Sequence, residues 1–355
     1  MAEVTVAPAG AAPGGAAPPG GSAVAGAAPG FLGFFGRHPL LALLVRRLWL
    51  AVITLFLVSV IVFIVARLLP GDVGRSILGP YASAAQVAAL DQRLGMDRPL
   101  VSQYLSYIGG FLSGNWGTSP ILDVPVRPYV MGHLVNSLYL AILALVWIIP
   151  LSVGLGVLAA WRRDRWPDRL ISITGVSLLA LPEFVSGTIL IVIFAVTLHW
   201  FPATAQVPSL SVVSILHNLL LPSLALLFVL FGYIARMARA GTAEALSSHY
   251  VRTAYLKGLG PAAVLWRHAL RNALTPTITV IAVQLGYLIG GLVVTETLFS
   301  YPGIGNLIYT AATDHDQAML QAGVLLIAGV YTVANMLADL LYAALNPRLR
   351  QGGVS

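Results

Sequence analysis

LWLAVITLFLVSVIVFIVARLL, residues Leu48 to Leu69, holds one charged side chain in 22 positions. About 20 apolar residues wound as a helix cross the hydrocarbon core of a bilayer, so this stretch reads as a membrane span. Runs of similar character recur at His133–Ala160, Leu170–Leu198, Leu219 to Tyr233 or Arg236, Pro276–Phe299 and Ala318–Leu345. The third is broken near Pro182-Glu183. The fold class expected is all-α, a polytopic membrane protein with six transmembrane helices.

Composition agrees. The chain is 58% hydrophobic and 9% charged, against about 25% charged in a soluble average. It contains no cysteine, which excludes disulfides, thiolate metal sites and a cysteine nucleophile. A formal net charge of +7 does not indicate nucleic acid here, because Lys and Arg mark the cytoplasmic loops of membrane proteins. Arg37, Arg46, Arg47, Arg162, Arg163, Arg165, Arg169, the stretch from Arg236 to Arg271, Arg348 and Arg350 place 15 of the 20 basic residues on one side. The positive-inside rule then puts both termini in the cytoplasm.

Four regions follow. Residues 1–30 are an Ala/Gly/Pro-rich tail, expected to be disordered and without the basic n-region of a signal peptide. Residues 31–130 hold the first span and a large extracytoplasmic loop between helices 1 and 2. That loop carries two short helical patterns, Ser83–Leu94 with Ser83 as N-cap and Leu100–Leu112, then an extended piece over Ser119–Val126. It is expected to pack over the outer face. Residues 131–345 hold five spans and a basic loop at 237–275, and 346–355 form a cytoplasmic tail.

Within that basic loop, Tyr250–Pro276 (YVRTAYLKGLGPAAVLWRHALRNALTP) has four basic and no acidic side chains. A short helix, His249–Leu256, sets Val251, Ala254 and Tyr255 on a small apolar ridge flanked by Arg252. Gly258 ends it, as glycine does in a left-handed cap, and Pro261 suits the start of the next helix, Ala262–Ala273. Such a ridge suits docking into a groove of a cytoplasmic partner. A basic helix lying on anionic lipid also accounts for the charge, though not for the abrupt break.

Catalytic and nucleotide chemistry find no support. The single lysine, Lys257, lies in no GxxxxGK loop, so no P-loop is present. Asp314-His315-Asp316 lacks metal-ligand spacing and reads as a hydrated loop. Neither a metal, a cofactor nor a catalytic residue is expected, and the chain is not expected to be an enzyme. Ionisable groups inside spans are costly and mark function by default. Glu183 and Glu296 are the translocation-pathway candidates, each with a packing or capping role as the alternative, and Asp339 could pair with an arginine. Gly286, Gly290 and Gly291 signal close helix approach.

RTAYLKG (Arg252–Gly258) resembles the coupling motif of binding-protein-dependent ABC importer permeases, in which Glu-Ala-Ala, three residues and Gly form the coupling helix. Arg252 and Thr253 depart from Glu-Ala. YVRTA followed by RHALRNALTP is similar to the version in the dipeptide/oligopeptide/nickel permease family, of the dipeptide permease B type. LGMDRPL (Leu94–Leu100), GNWGTS (Gly114–Ser119), ETLFSYPGIGNL (Glu296–Leu307) and NMLADLLYAALNPRLR (Asn335–Arg350) extend the resemblance over roughly Pro39–Arg350.

The resemblance implies a multi-pass permease of the bacterial inner membrane. Its implied partners are a second homologous permease, two ABC ATPase subunits and an extracytoplasmic solute-binding protein. Val251, Arg252, Thr253, Ala254, Tyr255 and Gly258 would transmit ATPase motion to the spans. The implied solute is a dipeptide or oligopeptide. Nickel, glutathione and oligosaccharide importers share the permease type, and a self-contained secondary transporter is the alternative from another class.

Overall fold

The computed structural model describes residues 39–68, 78–79, 81–93, 97–206 and 211–345. The expected tails, 1–30 and 346–355, lie outside them. Among the described residues all regular structure is helical, apart from one isolated antiparallel bridge between Thr118 and Pro125. We number the helices α1 (Pro39–Leu68), α2 (Ala84–Arg93), α3 (Leu100–Ser113), α4 (Val126–Trp161), α5 (Trp166–Ala180) and α6 (Glu183–Leu190). There follow α7 (Val212–Leu246), α8 (His249–Leu256), α9 (Pro261–Val264), α10 (Leu270–Leu298), α11 (Ile304–Thr313) and α12 (Gln317–Leu345). A π-helical stretch, Ile191–Thr197, prolongs α6, and another, Leu265–Ala269, joins α9 to α10.

Five helical stretches are long and apolar enough to cross a membrane. A sixth candidate crossing is the bent pair α5 and α6. Pro182 forces Leu181 into an extended conformation (ψ 125°), as the residue before a proline prefers, and α5 and α6 turn by 109° about this break. Both halves nevertheless climb α7 in one direction. Asp168 bonds Arg239, Gly175 lies against Gly232, and Gly187 lies against Ala225.

α7 is the axis of the bundle, with α4 and α10 packed most extensively on it. Its buried face runs from Leu219 through Leu226, Leu230 and Ile234 to Ala245, at the three- and four-residue spacing of a helix stripe. Side-chain packing and close backbone approach, rather than expulsion of water, hold helices together in lipid. Gly241 allows one close approach: a Cβ there would sit 2.4 Å from the Ala273 carbonyl oxygen of α10.

Two boundaries differ from expectation. The helix of the fourth span does not stop at Arg236, since α7 continues to Leu246. Nor does a separate helix precede the fifth span. Pro261 to Leu298 run on as one helical stretch of 38 residues with Pro276 inside it. A proline in a membrane helix frees one carbonyl that its surroundings can satisfy again, so Pro276 does not stop the chain. The basic segment is therefore a helical extension of the spans with one sharp interruption.

The first loop has the two expected short helices, but Ser119–Val126 is not extended: the chain turns tightly there, with Asp123 N–H donating to the Ser119 carbonyl at 3.0 Å, and α4 starts at Val126. Ser83 caps α2: its Oγ accepts from the Gln86 backbone N–H at 3.3 Å, while Gln86 Oε1 accepts from the Ser83 N–H at 2.9 Å, a reciprocal capping box. α3 lies against α1, with Tyr104 bonded to Ser59 Oγ at 2.8 Å and its ring edge-on to Phe63.

Candidate functional site: a surface helix and an intramembrane cavity

The basic end of the bundle presents α8. Its last turn closes in a Schellman motif: Gly258 N–H donates to the Tyr255 carbonyl at 2.9 Å, and Leu259 N–H to the Ala254 carbonyl at 3.3 Å. Gly258 takes φ +81°, the left-handed conformation that glycine adopts without a Cβ penalty. A Cβ there would meet nothing within 4 Å. The backbone, not space, demands glycine.

The expected ridge divides in two. Val251 and Ala254 are buried, in one cluster with Val157, Ala245, Val264, Leu265, Ala269 and Ala273. They hold α8 against α4, α7 and the foot of α10, so neither belongs to an outward contact face. Tyr250, Arg252, Thr253, Tyr255, Leu256, Lys257 and Gly258 are exposed. Residues three apart on a short helix share a face, and here the 251/254 pair meets the apolar crevice between three helices. Leu256, at 81% exposure, crowns the outer face.

Glu183 begins α6, just past the break. Its carboxylate accepts a hydrogen bond from Thr295 Oγ1 on α10. Opposite lies Gly291, where a Cβ would stand 2.9 Å from Glu183 Oε2. A cavity of about 360 Å³ opens beside the carboxylate, lined by Leu226, Val229, Leu230, Gly286, Leu288 and Gly290, with Tyr287 and Tyr331. Among the described residues Glu183 has no ion-pair partner. The glycine string Gly286–Gly291 pointed to close approach, and Gly286 makes one, since a Cβ there would lie 3.0 Å from the Tyr331 ring and the Asn335 side chain of α12. Tyr331 joins the site from 40 residues beyond Gly291, and no sequence signal announces that.

Glu296 lies elsewhere and is fully buried. Its carboxylate accepts from Ser137 Oγ of α4 and from the backbone N–H groups of Gly305 (2.7 Å) and Asn306 (3.3 Å). It therefore satisfies donors that α11 leaves open at its N-terminus. Ser137 Oγ in turn accepts from the Ile304 N–H at 2.8 Å, and Tyr301 donates to the Asn136 carbonyl at 2.8 Å. Burial, and next the Glu296 carboxylate, push the Tyr301 phenol well above its ordinary value, so it stays a donor. The ETLFSYPGIGNL string is thus a hydrogen-bonded reversal. It does not bring Glu296 to the Glu183 cavity, whose lining excludes it.

Three further acidic groups have structural partners. Asp339 pairs with Arg47 through two contacts of 3.0 Å, tying α12 to α1. Asp168, which the sequence left inside a basic loop, is buried and bidentate to Arg239. Asp316 is not part of a hydrated loop. It is 3% exposed, accepts from Ser119 Oγ, and caps α12 through the Met319 N–H at 3.0 Å. Among the described residues no group of three metal-ligating side chains gathers.

Comparison with known proteins agrees with this arrangement. The family described as binding-protein-dependent transport system inner membrane component matches residues 152–351, and its N-terminal companion matches residues 40–125. The glutathione transport system permease protein GsiC of Escherichia coli (strain K12) is 37% identical over 306 residues, covering 86% of this chain and 98% of the relative. GsiC of Shigella dysenteriae serotype 1 matches to the same extent, and that of Shigella boydii serotype 4 is 36% identical over the same length. The helices that place α8 at one end and the Glu183 cavity among the spans are those of a transport subunit, and the chain belongs to the binding-protein-dependent ABC importer permeases, as a multi-pass inner membrane component.

Proposed function

We propose that this permease carries small peptides or peptide-like solutes such as glutathione, handed to it by an extracytoplasmic binding protein. It pairs with a second permease and is driven by two ABC ATPase subunits. The glutathione permeases among its relatives support the solute class. The carrying observation is α8, whose inner face is sealed to the bundle by Val251 and Ala254 while Tyr250, Arg252, Thr253, Tyr255 and Leu256 stay outside.

A helix fixed on one side and apolar-basic on the other fits a groove in a partner. Because Val251 and Ala254 pack α8 against Val264, Leu265 and Ala269, and Pro261–Leu298 is one helical stretch, a push on α8 reaches α10 and the wall of the Glu183 cavity through that packing, across the Gly258 turn. Both termini and α8 then share the cytoplasmic side, as the basic residues require, and the α11 end faces outward.

Proteoliposomes holding this chain, its companion permease, the ATPases and the binding protein test the reading. Uptake of a radiolabelled dipeptide or glutathione is expected only with ATP and binding protein together. Uptake by this chain alone, driven by a proton gradient, contradicts it.

A further inference from the structure

We infer that the Glu183 cavity receives the protonated primary amine of the transported solute; this rests on the permease reading above. An ionised carboxylate at membrane depth needs compensation. Glu183 has one hydrogen bond, from Thr295 Oγ1, and the start of α6 behind it. Its remaining acceptor capacity has no basic side chain to meet among the described residues.

The cavity beside it supplies the rest of an ammonium site. Leu226, Val229, Leu230 and Leu288 form low-dielectric walls, which strengthen a charge–charge contact. Tyr287 and Tyr331 line the same space and are 68% and 46% exposed, free to border an entering cation with their rings. Gly286, Gly290 and Gly291 leave the wall opposite the carboxylate without side chains. Anionic or neutral headgroups find no donor cluster here, since the only hydroxyls lining the space are the two phenols.

A carboxylate, two phenol rings and apolar walls in about 360 Å³ make a compact receptor for one ammonium group and its neighbouring atoms. A solute with a free α-amine would offset the charge of Glu183 as it passes. A sugar, or an amine blocked by acylation, would leave that half-buried carboxylate with Thr295 as its partner and its charge uncompensated.

The test uses the assembled transporter in proteoliposomes, with alanylalanine and N-acetyl-alanylalanine as probes at saturating binding protein. Wild type is expected to move the free amine at least tenfold faster than the acetylated form. Glu183→Gln is expected to bring the two rates within twofold, and Glu183→Asp to restore the preference. A preference unchanged in Glu183→Gln, equal rates in wild type, or a parallel fall of both rates overturns the assignment.

ATP hydrolysis stimulated by the binding protein, measured in the same vesicles, reports assembly. Its absence in wild type would count against the permease reading and leave the amine assignment to a second measurement. That measurement is carbodiimide capture of radiolabelled butylamine. The carbodiimide adds the carboxyl and its proton to give an O-acylisourea; the free amine nitrogen attacks the acyl carbon, the acyl C–O bond breaks, and the leaving group takes the amine proton and departs as the urea. Greater yield at Glu183 than at the exposed Asp97 or Glu244 supports the site, and no adduct at Glu183 overturns it.

Discussion

Gly305 donates its backbone N–H to the fully buried Glu296 carboxylate at 2.7 Å, which makes an intramembrane acid the cap of a neighbouring helix. Gly303 completes the arrangement, because a Cβ there would lie 2.2 Å from Glu296 Cδ. Leaving a buried donor unpaired costs about 1–3 kcal/mol. Glu296→Ala orphans two buried donors, the Ser137 hydroxyl and the Gly305 N–H, along with the half-buried Asn306 N–H, so the purified protein should lose about 2–6 kcal/mol in detergent unfolding. Gly303→Ala should be destabilised as well, because the carboxylate must move. An unchanged unfolding midpoint in both variants would remove the capping role.

Asp168 and Arg239 form the second structural contact that a charge count conceals. Asp168 is 3% exposed, and breaking one side of a buried pair costs about 3–5 kcal/mol. Arg239→Ala should therefore lower stability by about that amount, whereas Arg239→Ala combined with Asp168→Ala should recover part of the loss. Thermal unfolding of the three variants measures the coupling. Additive losses would mean that the two residues act independently.

Arg47 and Asp339 offer the contrast. Their side chains are 45% and 28% exposed, and pairs of that kind contribute about 0–1 kcal/mol. Asp339→Asn should leave the unfolding midpoint nearly unchanged and uptake intact. A large loss of transport would give Asp339 a functional role that its pairing does not suggest.

Hydrophobic length alone made the spans legible, and Pro182 betrayed the broken one. Ser83 announced its capping box, and Gly258 and Pro261 announced the Schellman turn and the restart of the chain. What stayed hidden needed three dimensions. Val251 and Tyr255 look like one ridge at a spacing of four, but burial pairs Val251 with Ala254 because the crevice between α4, α7 and α10 lies on that side. Glu183 and Glu296 look alike in sequence, yet one faces a cavity and the other caps a helix. Tyr331 enters the site from a different span. The helical run through Pro276 was missed because a proline ends water-exposed helices more readily than membrane ones.

Gly258 carries the strongest backbone demand in the candidate site. A β-branched residue at φ +81° is strained by about 1–2 kcal/mol, and relieving that strain re-aims the end of α8. Gly258→Val should reach the membrane in normal amount but lose most ATP-driven uptake, with binding-protein-stimulated ATP hydrolysis falling in step. Normal uptake would show that the cap does not set the position of α8.

The absence of cysteine from the whole chain makes the decisive experiment clean. Single-cysteine variants Thr253→Cys, Tyr255→Cys and Val251→Cys, each labelled with a maleimide photocrosslinker in native membranes, compare the two faces of α8 directly. Crosslinks to an ATPase subunit from positions 253 and 255, with none from the buried position 251, are the predicted result. Crosslinks from 253 and 255 to lipid alone would contradict the account.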